Sequence, residues 1–584
     1  MFRAQIKEEI KKIVGEDVVF SVERPENQEH GDYSSNVALI LATRLDSRQA
    51  RQEKEGKNPK EMAEELKNKL LSNPIAKWVE RIDIAGPGFL NFWISREGKL
   101  SVLEKALKEV DKFGKSNLLK NKKVIIEFTD PNPFKEFHIG HLMSNSIGES
   151  LARIIEFNGA EVKRAIYQGD VGLHVAKAMW AMTNVKEMQE IDLLNGKAYV
   201  AGNKAYENNE KEKKEIIEIN KKLYNGSDKK LLNLYDKYRE RSLSYFNAVY
   251  GLLGMRVRKK QYSNLSFFLK KQYFDLSFLE SETGLIGKKI VEKGLEKGVF
   301  EKSDGAVVFR GEKFGLHTRV FINSDGLPTY ETKELGLAEL KNNKFKHDIS
   351  LVITGNEIKE YFKVALAAMK ELGMDASKIK HVPHGMLRLP SGKMSSRTGE
   401  VIPAEFLWGQ VKERLRKRFE QSGKISGNKK ENILNMVTLG AIKYSILKHS
   451  IGSDIIFDFG KSLALEGDSG PYIQYVYART NSVLKKAKEA GLTMSLDNPP
   501  ETMGGPEAIL IHFPDIVEFA YENLNSNIII RYLQELAGAF NAFYEKQQII
   551  GVPESAYYVA LTKAVSIVIK NGLNLLGISS PEKM

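Results

Sequence analysis

The chain has 584 residues, enough for three or four domains of about 150 residues each. Its 88 lysines and arginines exceed its 75 aspartates and glutamates, and the net charge of +13 favours a polyanionic partner without identifying one. It contains no cysteine, which excludes disulfides, a thiolate nucleophile and thiolate zinc sites. No apolar run approaches the roughly 20 residues that span a bilayer, and residues 1–15 do not resemble a signal peptide, so we expect a cytoplasmic protein without a membrane partner.

Residues 1–115 are predicted to form a small α+β domain. Apolar residues at helical spacing indicate three helices, and a hairpin with a Gly-Pro-Gly turn follows them. The polar segment HGDYSSN, at 30–36, precedes the second helix. Its spacing favours a helix N-cap at Ser35 or Asn36, while its polar and aromatic side chains also suit contact with an unpaired base.

The clearest pattern in the chain is strand, turn, helix and strand between residues 123 and 167. The apolar run 124–128 predicts a buried strand, and Asp130 with the prolines beside it ends that strand. Apolar residues then recur at helical spacing until Asn158 and Gly159, and a second strand follows. Such a βαβ unit has a right-handed crossover, and its ligand crevice lies at the carboxyl end of the first strand.

His138, Gly140 and His141 lie in this crevice, at the predicted amino end of the helix. Free backbone N–H groups and the helix dipole favour an anion there, and the glycine lets a nucleotide approach the backbone. The two imidazoles add further donors, so the segment suggests a phosphate site. A turn glycine between two solvent-facing histidines remains the simpler interpretation of the tetrapeptide alone.

The second domain is predicted to span 116–400, with a polar helical insertion at about 180–255. Tyr330 and Glu334 lie four residues apart and so share a helix face, where they suit either a cationic ligand or ordinary packing within the helix. Glycines on both sides of Lys393 favour a loop that closes over a triphosphate, or an exposed basic turn.

Residues 401–584 show helical periodicity and are predicted to form helices throughout. Aromatic and cationic side chains are mixed around Tyr475 and Arg479. That mixture suits stacking on unpaired bases, although aromatic residues on such helices also serve as core.

HIGH at 138–141 followed by KMSS at 393–396 resembles the paired motifs of class I aminoacyl-tRNA synthetases. More narrowly, the chain resembles arginyl-tRNA synthetases along nearly its whole length. The matching segments occur in the family's order and include HGDYSSN, GPGFLNF, DPNPFKEFHIGHLMSN, QGDVGLH, FLES, GLPTYETKELGLA, SGPYIQYVYART and FNAFY. The resemblance implies an α/β fold class: a Rossmann-type parallel-sheet catalytic domain, an N-terminal α+β module and a C-terminal all-α bundle that binds the anticodon.

The resemblance also implies a reaction. L-arginine would attack ATP to form an arginyl-adenylate with release of diphosphate, and the 2′-hydroxyl of the terminal adenosine of tRNA(Arg) would then displace AMP. Mg²⁺ is expected with ATP, held by phosphates and water rather than by a dedicated metal site of the protein. We expect the protein to act as a monomer.

The residue roles that the resemblance implies fall into three groups. ATP would be contacted, and the charge of its phosphates stabilised, by His138, Gly140, His141, Lys393, Met394, Ser395 and Lys135. Arginine would be held by Asn132, Glu280, Tyr330 and Glu334. The tRNA would be contacted by Asn36, Tyr475 and Arg479.

Three positions depart from the family pattern. Glu334 stands where aspartate is usual, and its extra methylene shifts the carboxylate. Ser396 stands where a second loop lysine is usual, and Lys135 is expected to supply the missing charge. Ile358 stands where many relatives have a polar residue, which removes one candidate contact to arginine.

Two other functions remain open from the sequence. A class I synthetase for lysine or glutamate would keep both motifs, but the acidic residues Glu280 and Glu334 argue against an acidic amino acid. A non-catalytic tRNA-binding relative would keep the basic helical region and lose the histidines or the loop lysine. The presence of His138, His141 and Lys393 favours the enzyme.

Overall fold

The structure is a computed structural model that describes residues 1–48, 58–263, 266–390, 402–422, 428–501 and 503–584. The N-terminal elements are α1 (Phe2–Val14), β1 (Val22–Glu23), β2 (Tyr33–Ser35), α2 (Val37–Arg48), α3 (Pro59–Leu71), β3 (Val79–Ala85), β4 (Phe89–Ile94) and α4 (Arg96–Glu109). The strands form an antiparallel sheet in the order β1-β2-β4-β3. Apolar residues on one face of α1 are buried against it, as their spacing predicts.

Part of the polar segment at 30–36 forms a strand, β2, rather than only a loop before a helix. Asn36 Oδ1 accepts a hydrogen bond from the backbone N–H of Ser21 at 2.8 Å. The capping contact at the start of α2 is made by Ser35, whose Oγ accepts from the N–H of Val37 at 3.3 Å. Of the two predicted capping residues, Ser35 therefore serves α2, and Asn36 ties it to the preceding segment.

A five-stranded parallel sheet forms the centre of the molecule. Its region contains β5 (Lys123–Glu127), α5 (Ile139–Phe157), β6 (Glu161–Gln168), α6 (Leu173–Asn184), α7 (Glu190–Leu194), α8 (Lys197–Asn208), α9 (Glu210–Asn225), α10 (Lys229–Leu252), β7 (Lys259–Ser263), β8 (Ser266–Gln272), β9 (Leu276–Leu279), α11 (Glu280–Glu296), β10 (Glu301–Ser303), β11 (Ala306–Phe309), β12 (Arg319–Ile322), α12 (Tyr330–Lys344), β13 (Ile349–Gly355), α13 (Lys359–Glu371), β14 (Ile379–His384) and β15 (Leu387–Arg388). The strand order is β14-β13-β5-β6-β9, and every pair is parallel. This is the Rossmann-type arrangement, with its ligand crevice at the carboxyl edge.

Helices α6 to α10 form the predicted insertion between β6 and β9. Apolar side chains of α6 to α9 and the first half of α10 pack into a cluster of their own, whereas Phe246, Val249 and Tyr250 of α10 belong to the main core. The cluster is joined to the sheet region by Phe134, whose ring stacks on Tyr235 of α10 with centroids 5.7 Å apart. The insertion therefore lies beside the loop that follows β5.

The C-terminal region is almost entirely helical. It contains α14 (Ala404–Ser422), α15 (Asn428–Leu447), β16 (Ile455–Ile456), α16 (Phe459–Ser462), α17 (Gly470–Glu489), α18 (Pro506–Leu510), α19 (Phe513–Glu522), α20 (Asn527–Lys546) and α21 (Ser555–Leu575). Leu533, Leu536 and Phe540 form the buried stripe of α20, as their spacing predicts. Among the described residues, no helix is both long enough and apolar enough to cross a membrane.

Helix α5 joins the parallel sheet to this helical region. Its buried Glu149 accepts hydrogen bonds from Arg153 at 2.7 Å and from Arg164 of β6 at 2.6 Å. Although burial opposes ionisation, the two arginines lower the pKa of Glu149 to about 2. Arg153 also donates to the carbonyl oxygen of Asn574 at 2.9 Å. One charged network therefore ties β6, α5 and the end of α21 together.

Candidate functional site

Three strand ends bring the site together at the carboxyl edge of the sheet. The segments after β5, β6 and β9 carry Asn132, Gly169 and Glu280, respectively. A Cβ atom on Gly169 would lie 2.3 Å from Asn132 Oδ1 and 3.1 Å from Glu280 Oε1, so a larger residue would displace these side chains. Two of the four predicted arginine contacts therefore lie close to one point in the crevice.

The loop between β5 and α5 has a strained backbone. Thr129, Asp130 and Phe134 have φ angles of 83°, 42° and 66°, which L-residues rarely adopt. The side chain of Asp130 accepts from the N–H of Tyr167 at 2.8 Å, and the N–H of Phe134 donates to Ser242 at 3.2 Å. These buried contacts fix the loop that carries Asn132.

The two histidines cap the amino end of α5. His138 Nδ1 accepts from the N–H of Gly140 at 3.1 Å and of His141 at 3.4 Å, while the N–H of His138 donates to His141 Nδ1 at 3.2 Å. Because each Nδ1 accepts, the proton of each neutral ring lies on Nε2. The rings stack with centroids 3.6 Å apart and are half-buried, so the solvent-facing alternative is wrong.

Burial keeps both rings neutral. It lowers the pKa of His138 to about 4 and that of His141 well below its usual value, and the charge of Lys135 lowers both further. Two neutral rings with Nε2–H donors therefore lie at the positive end of the α5 dipole, an arrangement that suits phosphate. The first backbone N–H groups of the helix are not free, contrary to what the sequence suggested. Those of Gly140 and His141 donate to His138 Nδ1, and that of Ile139 donates to the carbonyl oxygen of Ile402.

Gly140 makes room for this cap. A Cβ atom at this position would lie 2.9 Å from Cε1 and 3.0 Å from Nδ1 of His138. The glycine is therefore needed for the imidazole cap itself, in addition to the nucleotide approach that the sequence suggests.

Glu280, the first residue of α11, pairs with a lysine that the sequence analysis passed over. Lys333 Nζ lies 2.5 Å from Glu280 Oε2, and both side chains are buried. Burial alone would lower the pKa of Lys333, but Glu280 and Tyr224 raise it above its usual value. The position of Lys333 between Tyr330 and Glu334 was the available signal.

Glu334 lies among other buried charges. Burial raises the pKa of Glu334 to about 7, while Lys341 opposes the rise and Glu127 adds to it. Lys341 itself lies 2.9 Å from Glu127. Burial also holds the pKa of Asp130 well above its usual value. A cation bound beside Glu334 would favour its ionised form.

Tyr330 and Glu334 share the first turns of α12, as their spacing predicts, but their environments differ. Tyr330 is 61% exposed, whereas Glu334 is 5% exposed. The ring of Tyr330 lies 5.2 Å from Lys333 Nζ. Tyr330 therefore borders solvent while Glu334 lies inside the protein.

Lys135 lies between the histidines and the insertion. Its Nζ is 4.3 Å from the ring centroid of Tyr199 in α8, and its charge reaches both imidazoles. It thus adds positive charge next to the predicted phosphate site. The remaining predicted ATP contacts, Lys393, Met394 and Ser395, lie outside the described residues.

Asp170 is a further buried residue whose role the sequence did not show. Its carboxylate accepts from the N–H and the hydroxyl of Ser281, both at 2.8 Å, and from the hydroxyl of Tyr235 at 2.9 Å. It thereby ties the start of α11, and hence Glu280, to the insertion helix α10. The feature of the sequence that could have indicated this role is the position of Asp170 between two glycines at the end of a strand.

Two of the predicted tRNA contacts, Tyr475 and Arg479, lie together in α17, and the third, Asn36, lies far from them in the chain. Arg479 of α17 lies over the rings of Tyr475 and Tyr544, with its guanidinium carbon 5.0 Å from each centroid, and donates to Asn541 at 2.6 Å. This aromatic and cationic cluster is half-buried in the helical region, whereas Asn36 lies in the N-terminal region.

Family models match three consecutive parts of the chain. Residues 1–94 match the arginyl tRNA synthetase N terminal domain, residues 102–459 the catalytic domain of the tRNA synthetases class I (R), and residues 473–584 the DALR anticodon binding domain. The catalytic match alone covers more than half of the chain. The chain belongs to the arginyl-tRNA synthetase family.

Relatives within this family span the whole chain. It is 32% identical over 598 residues to an arginine–tRNA ligase of Treponema denticola, covering 98% of this chain and 96% of the relative. It is 30% identical over 617 residues to the arginine–tRNA ligase of Borreliella burgdorferi, covering 100% and 99%. The fold is that of the Thermus thermophilus arginyl-tRNA synthetase, with a TM-score of 0.79 at 24% identity over the full length of both chains.

Family membership confirms the predicted fold class and the predicted enzyme class. The protein is an arginine–tRNA ligase with a class I catalytic domain, an N-terminal module and a helical anticodon-binding domain. The two alternatives that the sequence left open, a synthetase for another amino acid and a non-catalytic relative, are not favoured.

Proposed function

We propose that the protein joins L-arginine to tRNA(Arg) in two steps at the carboxyl edge of the parallel sheet. A carboxylate oxygen of arginine attacks the α-phosphorus of ATP, and the bond to diphosphate breaks. The 2′-oxygen of the terminal adenosine then attacks the carbonyl carbon of the adenylate, and AMP leaves. Neither step needs a covalent intermediate on the enzyme, so positioning and charge stabilisation carry the catalysis.

The phosphates of ATP bind at the amino end of α5 in this proposal. Neutral His138 and His141 donate from Nε2 as negative charge develops on the phosphates, and Lys135 adds a fixed positive charge nearby. Gly140 lies under the adenine. Lys393, Met394 and Ser395 complete the ATP contacts.

Arginine binds across Asn132, Glu280, Tyr330 and Glu334. Among the residues that the structure describes, three buried carboxyl groups in this region, those of Glu127, Glu280 and Glu334, and the half-buried Asp130 lie with two buried lysines, Lys333 and Lys341. A guanidinium would supply the missing positive charge and pair with a planar carboxylate. This charge imbalance beside the capped helix is the observation that carries the proposal.

ATP enters as its Mg²⁺ complex. No group of three or more histidine, aspartate or glutamate side chains suited to a metal ion occurs among the described residues. In this proposal, as the sequence analysis expects, the Mg²⁺ ion is held by phosphates and water. Asn36, Tyr475 and Arg479 contact the tRNA, the first from the N-terminal module and the others from the helical region.

The proposal includes three features predicted from the sequence: domains at 1–115, 116–400 and 401–584, a cytoplasmic location and a monomeric state. The high net charge of +13 supports a protein that works with tRNA in solution. Light scattering of the purified protein measures the oligomeric state, and a dimer would overturn that part of the proposal.

Aminoacylation of total tRNA with each labelled amino acid tests the arginine site. Wild-type protein should charge arginine, and Glu334→Gln should raise the KM for arginine with little effect on the KM for ATP. The exposed Glu339 on the same helix provides the matched control, Glu339→Gln. Arginine kinetics that are equal in Glu334→Gln and the wild type would remove Glu334 from the site.

A further inference from the structure

The pair between Glu280 and Lys333 leaves one carboxylate oxygen for another partner. Lys333 Nζ lies 2.5 Å from Oε2 of Glu280. The other oxygen, Oε1, lies 3.1 Å from the position that a Cβ atom of Gly169 would take, next to Asn132. The lysine on α12 therefore holds one side of the carboxylate, and the opposite oxygen lies toward the proposed arginine site.

Lys333 opposes the effect of burial on Glu280. Burial holds the pKa of Glu280 above its usual value, and Lys333 is the largest influence that lowers it. Asp170 raises the pKa of Glu280 and Lys135 lowers it, both less strongly than Lys333. The charge of Glu280 also reaches Glu334 and four tyrosines around it, Tyr167, Tyr224, Tyr330 and Tyr361, and raises the pKa of each. Without Lys333, Glu280 would be a buried carboxyl group whose nearest charges include two other carboxyls.

Lys333 is itself held by the insertion. Its Nζ lies 6.0 Å from the ring centroid of Tyr224 in α9 and 5.2 Å from that of Tyr330. The side chain of Lys333 is 4% exposed, so its ammonium lies among protein groups, including these two rings and Glu280, rather than in water. Such packing holds the ammonium in place beside Glu280.

We propose that Lys333 is a positioning residue for arginine: it holds Oε2 of Glu280 and presents Oε1 to the substrate. The inference rests on the proposed role of Glu280 in arginine binding. The two glutamates then have different roles. The charge of Glu280 is balanced by Lys333, so Glu280 supplies a fixed hydrogen-bond acceptor, whereas Glu334 supplies the unbalanced negative charge for the guanidinium.

Steady-state kinetics of Lys333→Met test this role. The KM for arginine should rise about tenfold or more at pH 7, while the KM for ATP stays within about twofold of the wild type. Since loss of Lys333 raises the pKa of Glu280, the defect should shrink as the pH is raised from 6.5 to 8.5 and Glu280 ionises. Wild-type protein should lack this additional pH dependence.

The chain offers a matched control on the same helix. Lys344 also pairs with a glutamate of α11, 3.7 Å from Glu282, but it is 40% exposed. Lys344→Met should leave the KM for arginine unchanged at every pH. Lys333→Arg retains the positive charge and should restore most of the arginine affinity, and it also serves if Lys333→Met does not fold.

Four outcomes would overturn the inference. A lower KM for arginine in Lys333→Met would mean that the lysine competes with the substrate. A raised KM with no pH dependence beyond that of the wild type would mean a structural role only, and so would an additional pH dependence that persists when Glu280→Gln is added. If the wild type charges arginine but Glu280→Gln has normal arginine kinetics, the proposed role of Glu280 fails. This failure can be distinguished from a failure of the inference about Lys333, because the comparison does not involve Lys333.

Discussion

Two of the predicted arginine contacts, Glu280 and Glu334, differ in their electrostatic surroundings. Glu280 and Glu334 are both buried carboxyls, but Glu280 has an ion-pair partner at 2.5 Å, while Glu334 depends on the more distant Lys341 and has a pKa raised to about 7. The charge state of Glu334 therefore changes within the physiological pH range, whereas Lys333 opposes the burial that raises the pKa of Glu280.

The pH dependence of arginine binding follows from Glu334. A guanidinium binds the ionised carboxylate, so the KM for arginine should fall as the pH is raised from 6 through 7 and level off by about pH 8. Glu334→Gln should abolish that dependence and raise the KM by about 100-fold, since losing one partner of a buried charge pair costs about 3 kcal/mol. A pH series of aminoacylation at saturating ATP measures both, and a KM that rises with pH would contradict the assignment.

Gly169 offers a second test at the residue scale. In Gly169→Ala the new Cβ would press on Asn132 Oδ1, which must move. We expect near-normal stability, because the displaced atoms are side-chain ends, and a clear rise in the KM for arginine. Gly409→Ala is the control: its Cβ meets nothing within 4 Å in α14, and it should stabilise the fold by about 1 kcal/mol without affecting kinetics. Thermal unfolding with the same aminoacylation assay separates the two effects.

At the scale of a single element, α5 combines a structural cap and the proposed phosphate site at one terminus. His138 satisfies two helix N–H groups through Nδ1, a task that asparagine also performs. The imidazole can therefore be removed while the cap is kept.

We expect the free energy of unfolding of His138→Asn to lie within about 0.5 kcal/mol of the wild-type value, whereas His138→Ala should lose about 1 kcal/mol of stability. Both should lower the rate of arginine-dependent pyrophosphate exchange, measured with tRNA present, by about 100-fold, because each removes a donor to the transition state. Full exchange activity in His138→Asn would show that the imidazole acts only as a cap.

Much of this element could be predicted from the sequence, and the reasons for the rest are physical. Apolar spacing and the proline turn located β5, α5 and β6, because local patterns determine them. The histidine cap was not foreseen, since it depends on ring orientation. The Lys333 pair and the contacts of Asp170 join segments more than 50 residues apart, and a single sequence carries no signal for which distant charges meet.

At the scale of the molecule, the N-terminal module docks on the helical region through polar contacts, including one that is buried and one that is part-buried. Tyr33 of β2 donates to Asp515 of α19 at 2.7 Å, and Arg24 pairs with Glu535 of α20 at 2.7 Å. Two predicted tRNA-binding regions are thus held in a fixed mutual arrangement by side chains that link β2 to α19 and the segment after β1 to α20.

Asp515→Ala should loosen this docking. The buried hydroxyl of Tyr33 would lose its acceptor, at a cost of about 2 kcal/mol, so the N-terminal module should become more susceptible to limited proteolysis. The exposed Asp497, which bonds to nearby Ser495, gives the control Asp497→Ala, for which we expect the wild-type pattern. Cleavage that is equally slow in both variants would show that other contacts suffice.

Helix α5 also has a mechanical consequence for the whole enzyme. Its 19 residues form a rod about 28 Å long, with the histidines at one end and the Arg153 network toward the other. A hydrogen bond of 2.8 Å between Ser150 and Ser526 pins it to the helical region as well. Any tilt of the C-terminal helices under a bound tRNA therefore swings the phosphate-facing tip of this rod, unless the Arg153 and Ser150 contacts break first.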